Sequence, residues 1–512
     1  MINSAQRELP EYIEGYGKVT PFKGIVNHIA VINRIGAKIK PVSSGESKLL
    51  NSIEEALDKM GIQDGMTISF HHHLRNGDYV LNLVMKAIAA RGIKDITLAA
   101  SSIFPSNEPL VEYIKKGIVT CVHTAYMSGP VADAISEGFL KKPAVMHTHG
   151  GRARAIESGE LHIDIAFIAA PTSDDYGNIN GVFGKAACGA LGYAVADAKY
   201  ADMVVVITDN IVDYPACPIE ISQEYIDYVV KVEAIGDSKG IVSGTTKITK
   251  DPVGLKIAKM ATEVMVASGL VKNGLSFQTG AGGISLAVAE ELKHIMRKQG
   301  IKGSFAAGGI TGYIVEMMEE GLFEKLFDVQ CFDLRAVESY RDNYNHQGMS
   351  ASLYGNPHNK GSVVNKLDVM ILGATEIDVN FNVNVTTASD GRIMGGSGGH
   401  SDTAAGAKLA LVVTSLTKAR LPIIKERVVT VTTPGETVDV IVTEWGIAVN
   451  PLRQDLIEKI RKTRLPLFTV EELKDKAEKI TGKPALVERE EKIVAVVEYR
   501  DGTVIDVIRK IK

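Results

Sequence analysis

The chain has 512 residues, with 57 Lys and Arg against 61 Asp and Glu for a net charge of −4, and 45% of its residues are hydrophobic and 23% charged. That composition is globular and excludes collagen, coiled coil and disorder; the slight acidity offers no basic stripe to nucleic acid, and no apolar run nears the roughly 18 residues of a membrane span. Four cysteines, Cys121, Cys188, Cys217 and Cys331, lie far apart with no Cys-x-x-Cys, which excludes a disulfide scaffold and a cysteine-rich zinc site and fits a reducing cytoplasm.

The first 45 residues are polar, interrupted by Pro10, Pro21 and Pro41; they have no apolar stretch for a secretory leader and read as an extension outside the core. After the strand pattern at 66–70 come His71, His72 and His73. Side chains alternate along a strand, so three consecutive histidines do not face one metal; His72 with Arg75 reads as a polar strand end able to meet an anion. Residues 96–102, 108–117 and 118–123 then spell strand, helix, strand, a rhythm that recurs at 203–209 and 367–374 and predicts an α/β fold with largely parallel sheets. At 147–154, His147 and His149 precede Arg152 and Arg154. The His-x-His spacing puts both rings on one side, but no third ligand is evident, and no metal is expected.

Three glycine clusters follow. Gln278, Gly280, Gly282 and Gly283 lie between a strand run and a helical run, where backbone N–H groups form either an anion or oxyanion site or simply a tight turn. The spacing is neither a Walker loop nor a dinucleotide fingerprint. A second turn holds Gly308, Gly309 and Gly312, and the densest cluster is Gly395, Gly396, Ser397, Gly398, Gly399 and His400. With so little side chain to pack, this last loop reads as exposed, either close to a ligand or merely flexible. Before it, Asn382 and Asn384 alternate as amide donors, and Glu376 ends a buried strand, where it serves catalysis or bonds to backbone. Asp501-Gly502 carries a type I′ hairpin signal. There is no Gly-x-Ser-x-Gly elbow, and Cys188 reads as packing.

Residues 162–181 align without gaps onto 366–385 at a constant offset of 204 residues, matching Asp164 with Asp368, Asp174 with Asp378, Asn178 with Asn382 and Asn180 with Asn384. Upstream, 128–139 is matched with 280–292. The repeat is too long for a solenoid and predicts two similar α/β domains with a ligand cleft between them: an extension over 1–45, domain 1 over 46–238 and domain 2 over 239–512.

SFHHHLRNGD (69–78), HTHGGRARAIESGEL (147–161), APTSDDYGNINGVFGKA (170–186), SFQTGAGG (276–283), NFNVNV (380–385), GGSGGHSDTA (395–404) and VTEWGIAVNP (442–451) together resemble the citrate lyase alpha-chain family from about residue 50 onward. The resemblance implies a pair of CoA-transferase-type domains and a citrate CoA-transferase reaction: citrate and an acetyl thioester on an acyl carrier protein give citryl thioester and acetate. It implies as partners a citryl-lyase beta chain and a gamma chain bearing a CoA-like prosthetic group, homo-oligomers within the complex, and no cofactor on this chain. Related CoA-transferases carry a nucleophilic glutamate after a glycine turn; Tyr313 stands at that place here, with Glu316 three residues on. The implied roles are oxyanion donors at Gly282, Gly283 and Gly398, and Glu376 in catalysis. Arg75, Arg152 and Arg392 would bind citrate carboxylates, with His72, His149, Gln278, Gly280, Gly309, Asn382, Asn384, Gly396, Ser397, Gly399 and His400 around the substrate. Rival readings are an acetyl-CoA hydrolase, a CoA-transferase for another acid, and a scaffold subunit.

Overall fold

The computed structural model describes residues 1–25, 34–38, 41–242, 247–485 and 487–512. Two large sheets, of ten and nine strands, organise the chain. In the first, six parallel strands run in the spatial order Val119–Thr124, Ile96–Ala100, Thr67–Phe70, Ile165–Ala170, Met203–Thr208, Tyr228–Lys231. In the second, six follow the same order as Phe323–Cys331, Gly303–Ile310, Ser276–Thr279, Val369–Leu372, Leu409–Val413, Val440–Thr443. The central strands are buried on both faces, with every residue of Ile165–Ala170 and Leu409–Val413 buried, as parallel strands covered by helices require.

The repeat is therefore architectural, and its matched polar residues have matched tasks. Asp164 Oδ2 accepts from Thr67 N at 2.7 Å and Asp368 Oδ2 from Ser276 N at 2.9 Å, each pinning the start of the neighbouring strand. Asp174 accepts from the N–H groups of Tyr176 and Asn178, and Asp378 from those of Asn380 and Asn382. One correction follows. Helix Gly283–Gln299 succeeds strand Ser276–Thr279, so its counterpart is the segment 71–90 after Thr67–Phe70, which ends in helix Val80–Ala90, and not 128–139.

The C-terminal hairpin, Arg489–Glu498 with Val504–Ile511, joins the first sheet, where Ala495–Val497 pair in parallel with Ala144–Met146. A division that assigns all of 239–512 to the second domain is corrected accordingly: chain continuity hid a strand pairing more than 340 residues apart. The turn also differs from type I′, which needs two left-handed residues. Only Gly502 is left-handed, at φ 87°, within a connection closed by Tyr499 N to Thr503 O at 2.7 Å. The first residues are not outside the core. Leu9, Ile13 and Val19 pack on Val496, Val504 and Val507, and the Phe22 ring meets Tyr499 edge-on at 4.8 Å. Of the predicted extension, 26–33, 39 and 40 lie outside the described residues.

Candidate functional site

The two units meet where the loop 395–400 crosses onto the first. Gly398 N donates to Ala125 O at 3.1 Å, His149 N to Gly398 O at 2.8 Å, and Met127 N to Gly395 O at 3.2 Å. Gly395, Gly396 and Ser397 are buried, which corrects the reading of this cluster as an exposed loop. Its glycines serve close approach: a Cβ on Gly396 would strike Ala125 O, and one on Gly399 the Tyr354 hydroxyl. Below the loop, Asp402 accepts from Thr148 Oγ1 at 2.8 Å and Gly150 N at 2.9 Å, riveting the two units together.

Around this crossing, side chains from both units make a closed circuit. The Tyr193 ring lies 4.6 Å from that of His72 and 4.5 Å from that of His149. His149 adjoins Gly398, and Gly399 adjoins Tyr354, whose hydroxyl receives Gln278 Nε2 at 2.8 Å. Gln278 packs on Gly308, and Gly309 on Phe332. The Phe332 ring in turn carries the Arg75 guanidinium at 4.8 Å, and Gln330 Nε2 reaches His72 O at 2.7 Å. Aromatic rings and glycine backbones alternate along this circuit. Gly280 N bonds Ile371 O at 3.1 Å, and His400 Nε2 bonds Gly373 O at 2.9 Å, so both glycine turns sit at the carboxyl ends of adjacent parallel strands, the usual ligand edge of an open α/β sheet.

Arg75 is the exceptional charge here. It has no carboxylate within ion-pair distance among the described residues, its Nη1 is buried without a partner, and it rests on the rings of Phe104 and Phe332. Burial pulls its guanidinium below the usual value. Its backbone is left-handed at φ 51°, a conformation that costs a non-glycine residue of order 1–3 kcal/mol. The histidines beside it are neutral. Burial first, then the proximity of His149, His73 and the charged Arg75, holds His72 well below its ordinary value, and burial with Arg152 brings His149 down to about 3. His72 Nδ1 meets Ser101 Oγ at 2.5 Å. Gln278 Oε1 is a buried acceptor with no partner.

Several predicted site residues are committed elsewhere. Glu376 is wholly buried and saturated: Lys425 Nζ and Ser389 Oγ bond Oε1, the latter at 2.7 Å, while Asn384 Nδ2 and Val429 N each bond Oε2 at 3.0 Å. Burial pushes this carboxyl up, but the Lys425 and Val429 bonds outweigh it and the group stays below its ordinary value. It is a structural ion pair without a lone pair to spare. Asn384 spends its amide on Glu376 and Thr387, and Asn382 spends its own on Asp378 and Gly435 N. Arg152 forms a bidentate pair with Asp197 at 2.9 and 2.7 Å. Arg392 faces Glu137 at 3.4 Å on the surface. Gly398 N–H is spent on Ala125 O, and both ring nitrogens of His400 are bonded, to Thr433 Oγ1 at 2.7 Å and Gly373 O. His147 and His149 do not converge as predicted: Thr148 caps a helix beginning at His149, while His147 turns to His123 at 3.0 Å. Gly282 and Gly283, by contrast, open helix Gly283–Gln299 with no side-chain cap, leaving first-turn N–H groups without an acceptor among the described residues. Tyr193, Tyr354, Phe332 and Ser101 were missed, since no local pattern marks an aromatic that stacks only across the fold.

The family model for the alpha subunit of citrate lyase matches residues 46–511. The chain belongs to that family. It is 51% identical over 467 residues to the citrate lyase alpha chain of Haemophilus influenzae, covering 91% of this chain and 93% of that one, and 48% identical to that of Klebsiella pneumoniae, covering 91% and 92%. Among solved structures, the alpha subunit of citrate lyase from Streptococcus mutans in complex with citrate superposes with a TM-score of 0.96 at 50% identity, covering 100% of both chains. A malonate decarboxylase hetero-tetramer from Pseudomonas shares the fold alone, with a TM-score of 0.65 at 16% identity over 86% of this chain and 84% of that one. As a citrate lyase alpha chain, the protein is the citrate CoA-transferase subunit of a multi-subunit enzyme. No helix among the described residues is long and apolar enough to cross a membrane.

Proposed function

We propose that the cleft exchanges acetyl for citryl on the thioester of an acyl carrier protein through a mixed anhydride, with no acyl group passing through the protein. A citrate carboxylate oxygen attacks the acetyl thioester carbonyl, the C–S bond breaks and the thiolate leaves, giving acetyl citryl anhydride. The thiolate then attacks the citryl carbonyl and acetate departs, so the substrates supply both nucleophiles and both leaving groups. The prosthetic thiol belongs to the gamma chain and enters as substrate.

One observation carries this reading. The cleft offers an arginine with no ion-pair partner among the described residues, and the carboxylates the sequence offered for a covalent step are taken: Tyr313 stands in place of the expected glutamate, Glu316 faces Lys293 at 3.6 Å, and Glu376 is bonded to Lys425. Arg75 suits a citrate carboxylate, for which a guanidinium fork is the natural partner. The open N–H groups at Gly282 and Gly283 suit the oxyanion, where losing one donor typically costs roughly 3–4 kcal/mol. Two reactants held in attack geometry supply about 7–11 kcal/mol more. The citrate named with the Streptococcus mutans relative supports the same substrate.

Purified chain given acetyl-CoA and citrate should release acetate and form citryl-CoA, and hydroxylamine or borohydride should trap no protein-bound thioester. A trapped glutamyl adduct would replace this mechanism with the two-step route of the rival transferases.

A further inference from the structure

Away from the cleft, a cavity of about 680 Å³ opens between the N-terminal segment, the stretch 425–429, helix Val470–Thr481 and the C-terminal hairpin. Its volume lies in the range of small-molecule sites. Four of its cations, Arg427, Lys483, Arg489 and Arg509, have no carboxylate within ion-pair distance among the described residues. What orients the three guanidiniums is neutral: Arg427 donates to Gln6 O, Arg489 to Val429 O at 3.4 Å and Arg509 to Glu491 O at 2.7 Å. The other cations of the wall are compensated, Arg7 by Asp506 and Lys474 by Glu426, each at 2.7 Å, and Lys425 by Glu376. Glu8 and Glu478 are the acids left over, so the uncompensated charge is positive. Arg489 is the focus. Burial lowers its guanidinium below the ordinary value, with Arg7 and Arg509 adding like charge and Asp506 and Glu376 opposing, and a bound anion would relieve that burial.

We propose that this cavity is a second ligand site, distinct from the transferase cleft, that takes an anion bearing at least two phosphate groups. Guanidinium forks pair bidentately with phosphate oxygens, and three forks with one ammonium exceed what a single phosphate satisfies. The site does not depend on the exchange mechanism, because none of its four free cations touches the cleft circuit.

Calorimetry of the full chain with inorganic pyrophosphate, and in parallel with adenosine diphosphate, tests it. One saturable site is expected, weakened at least tenfold in Arg489→Gln/Arg509→Gln and unchanged in Arg75→Gln, which disables only the cleft. Tighter binding of the nucleotide identifies a nucleoside diphosphate as the ligand, and equal binding an inorganic one. Should the double variant not fold, Arg427→Gln/Lys483→Gln, at exposed positions, gives the same reading. Absence of saturable binding, equal binding in these variants, loss in Arg75→Gln, or displacement by equimolar citrate overturns the proposal.

Discussion

Arg75 is desolvated beside rings and buried histidines with no carboxylate within ion-pair distance among the described residues, a cost that a bound anion would offset. A hydrogen bond to a charged group is worth about 1.5–3 kcal/mol, so Arg75→Gln should raise the citrate KM by roughly 10–150-fold while leaving the thioester KM nearly unchanged; equal effects on both would remove Arg75 from the citrate subsite. For Glu376 the geometry predicts the reverse of a catalytic residue. Glu376→Gln leaves the buried Lys425 without its counter-ion, at a cost of about 3–5 kcal/mol. Thermal unfolding should move down sharply, while turnover per folded molecule at low temperature holds. An unshifted melting curve with lost turnover would return Glu376 to the chemistry. His71 adds a pH signature. Burial brings it down to about 4 despite Asp197, so between about pH 6.5 and 4 the unfolded chain binds a proton that the folded chain refuses. Its contribution is therefore full above about pH 6.5 and is lost on acidification by up to about 1.4 kcal/mol per pH unit. Urea midpoints at pH 7.5 and 5.5 should fall less in His71→Asn than in the wild type, and parallel falls would mean that His71 titrates normally. Arg75 was legible because an arginine after a polar strand end already suggests an anion. Glu376 was not, since its partners stand at 384, 389, 425 and 429.

The glycine loop 395–400 acts as a clasp between the units, and its composition follows from what it touches. Gly396→Ala would press a methyl into Ala125 O and the Tyr126 backbone, neither of which can turn aside. Overpacking of this kind costs about 1–3 kcal/mol, and it falls on the element that places Gly399 and His400 at the cleft. The expected result is a soluble protein with at least tenfold lower exchange activity, read by circular dichroism alongside the assay. Full activity would show that the clasp has slack. Sequence clusters located all three glycine turns but did not separate their duties, because a glycine needed for packing and one needed for an open N–H look alike along the chain.

At the scale of the whole molecule, two doubly wound halves share one continuous core, and the last two strands return to the first sheet. Deleting 489–512 would bare the edge strand Ala144–Met146 and unseat Leu9, Ile13 and Val19. An exposed flat edge invites association, so the truncated chain should aggregate on size-exclusion chromatography; a monodisperse, active fragment would show that the hairpin is dispensable. The sequence by itself determined the α/β class, the duplication at a 204-residue offset and the family, because periodicity and local polar patterns survive in one dimension. Only the tertiary structure decided which polar groups remain free. Asn382, Asn384, Arg152 and Glu376 had the right chemistry for a site, but each is spent on a partner that chain order does not reveal. Arg75 is left over because folding brought it rings instead of a carboxylate.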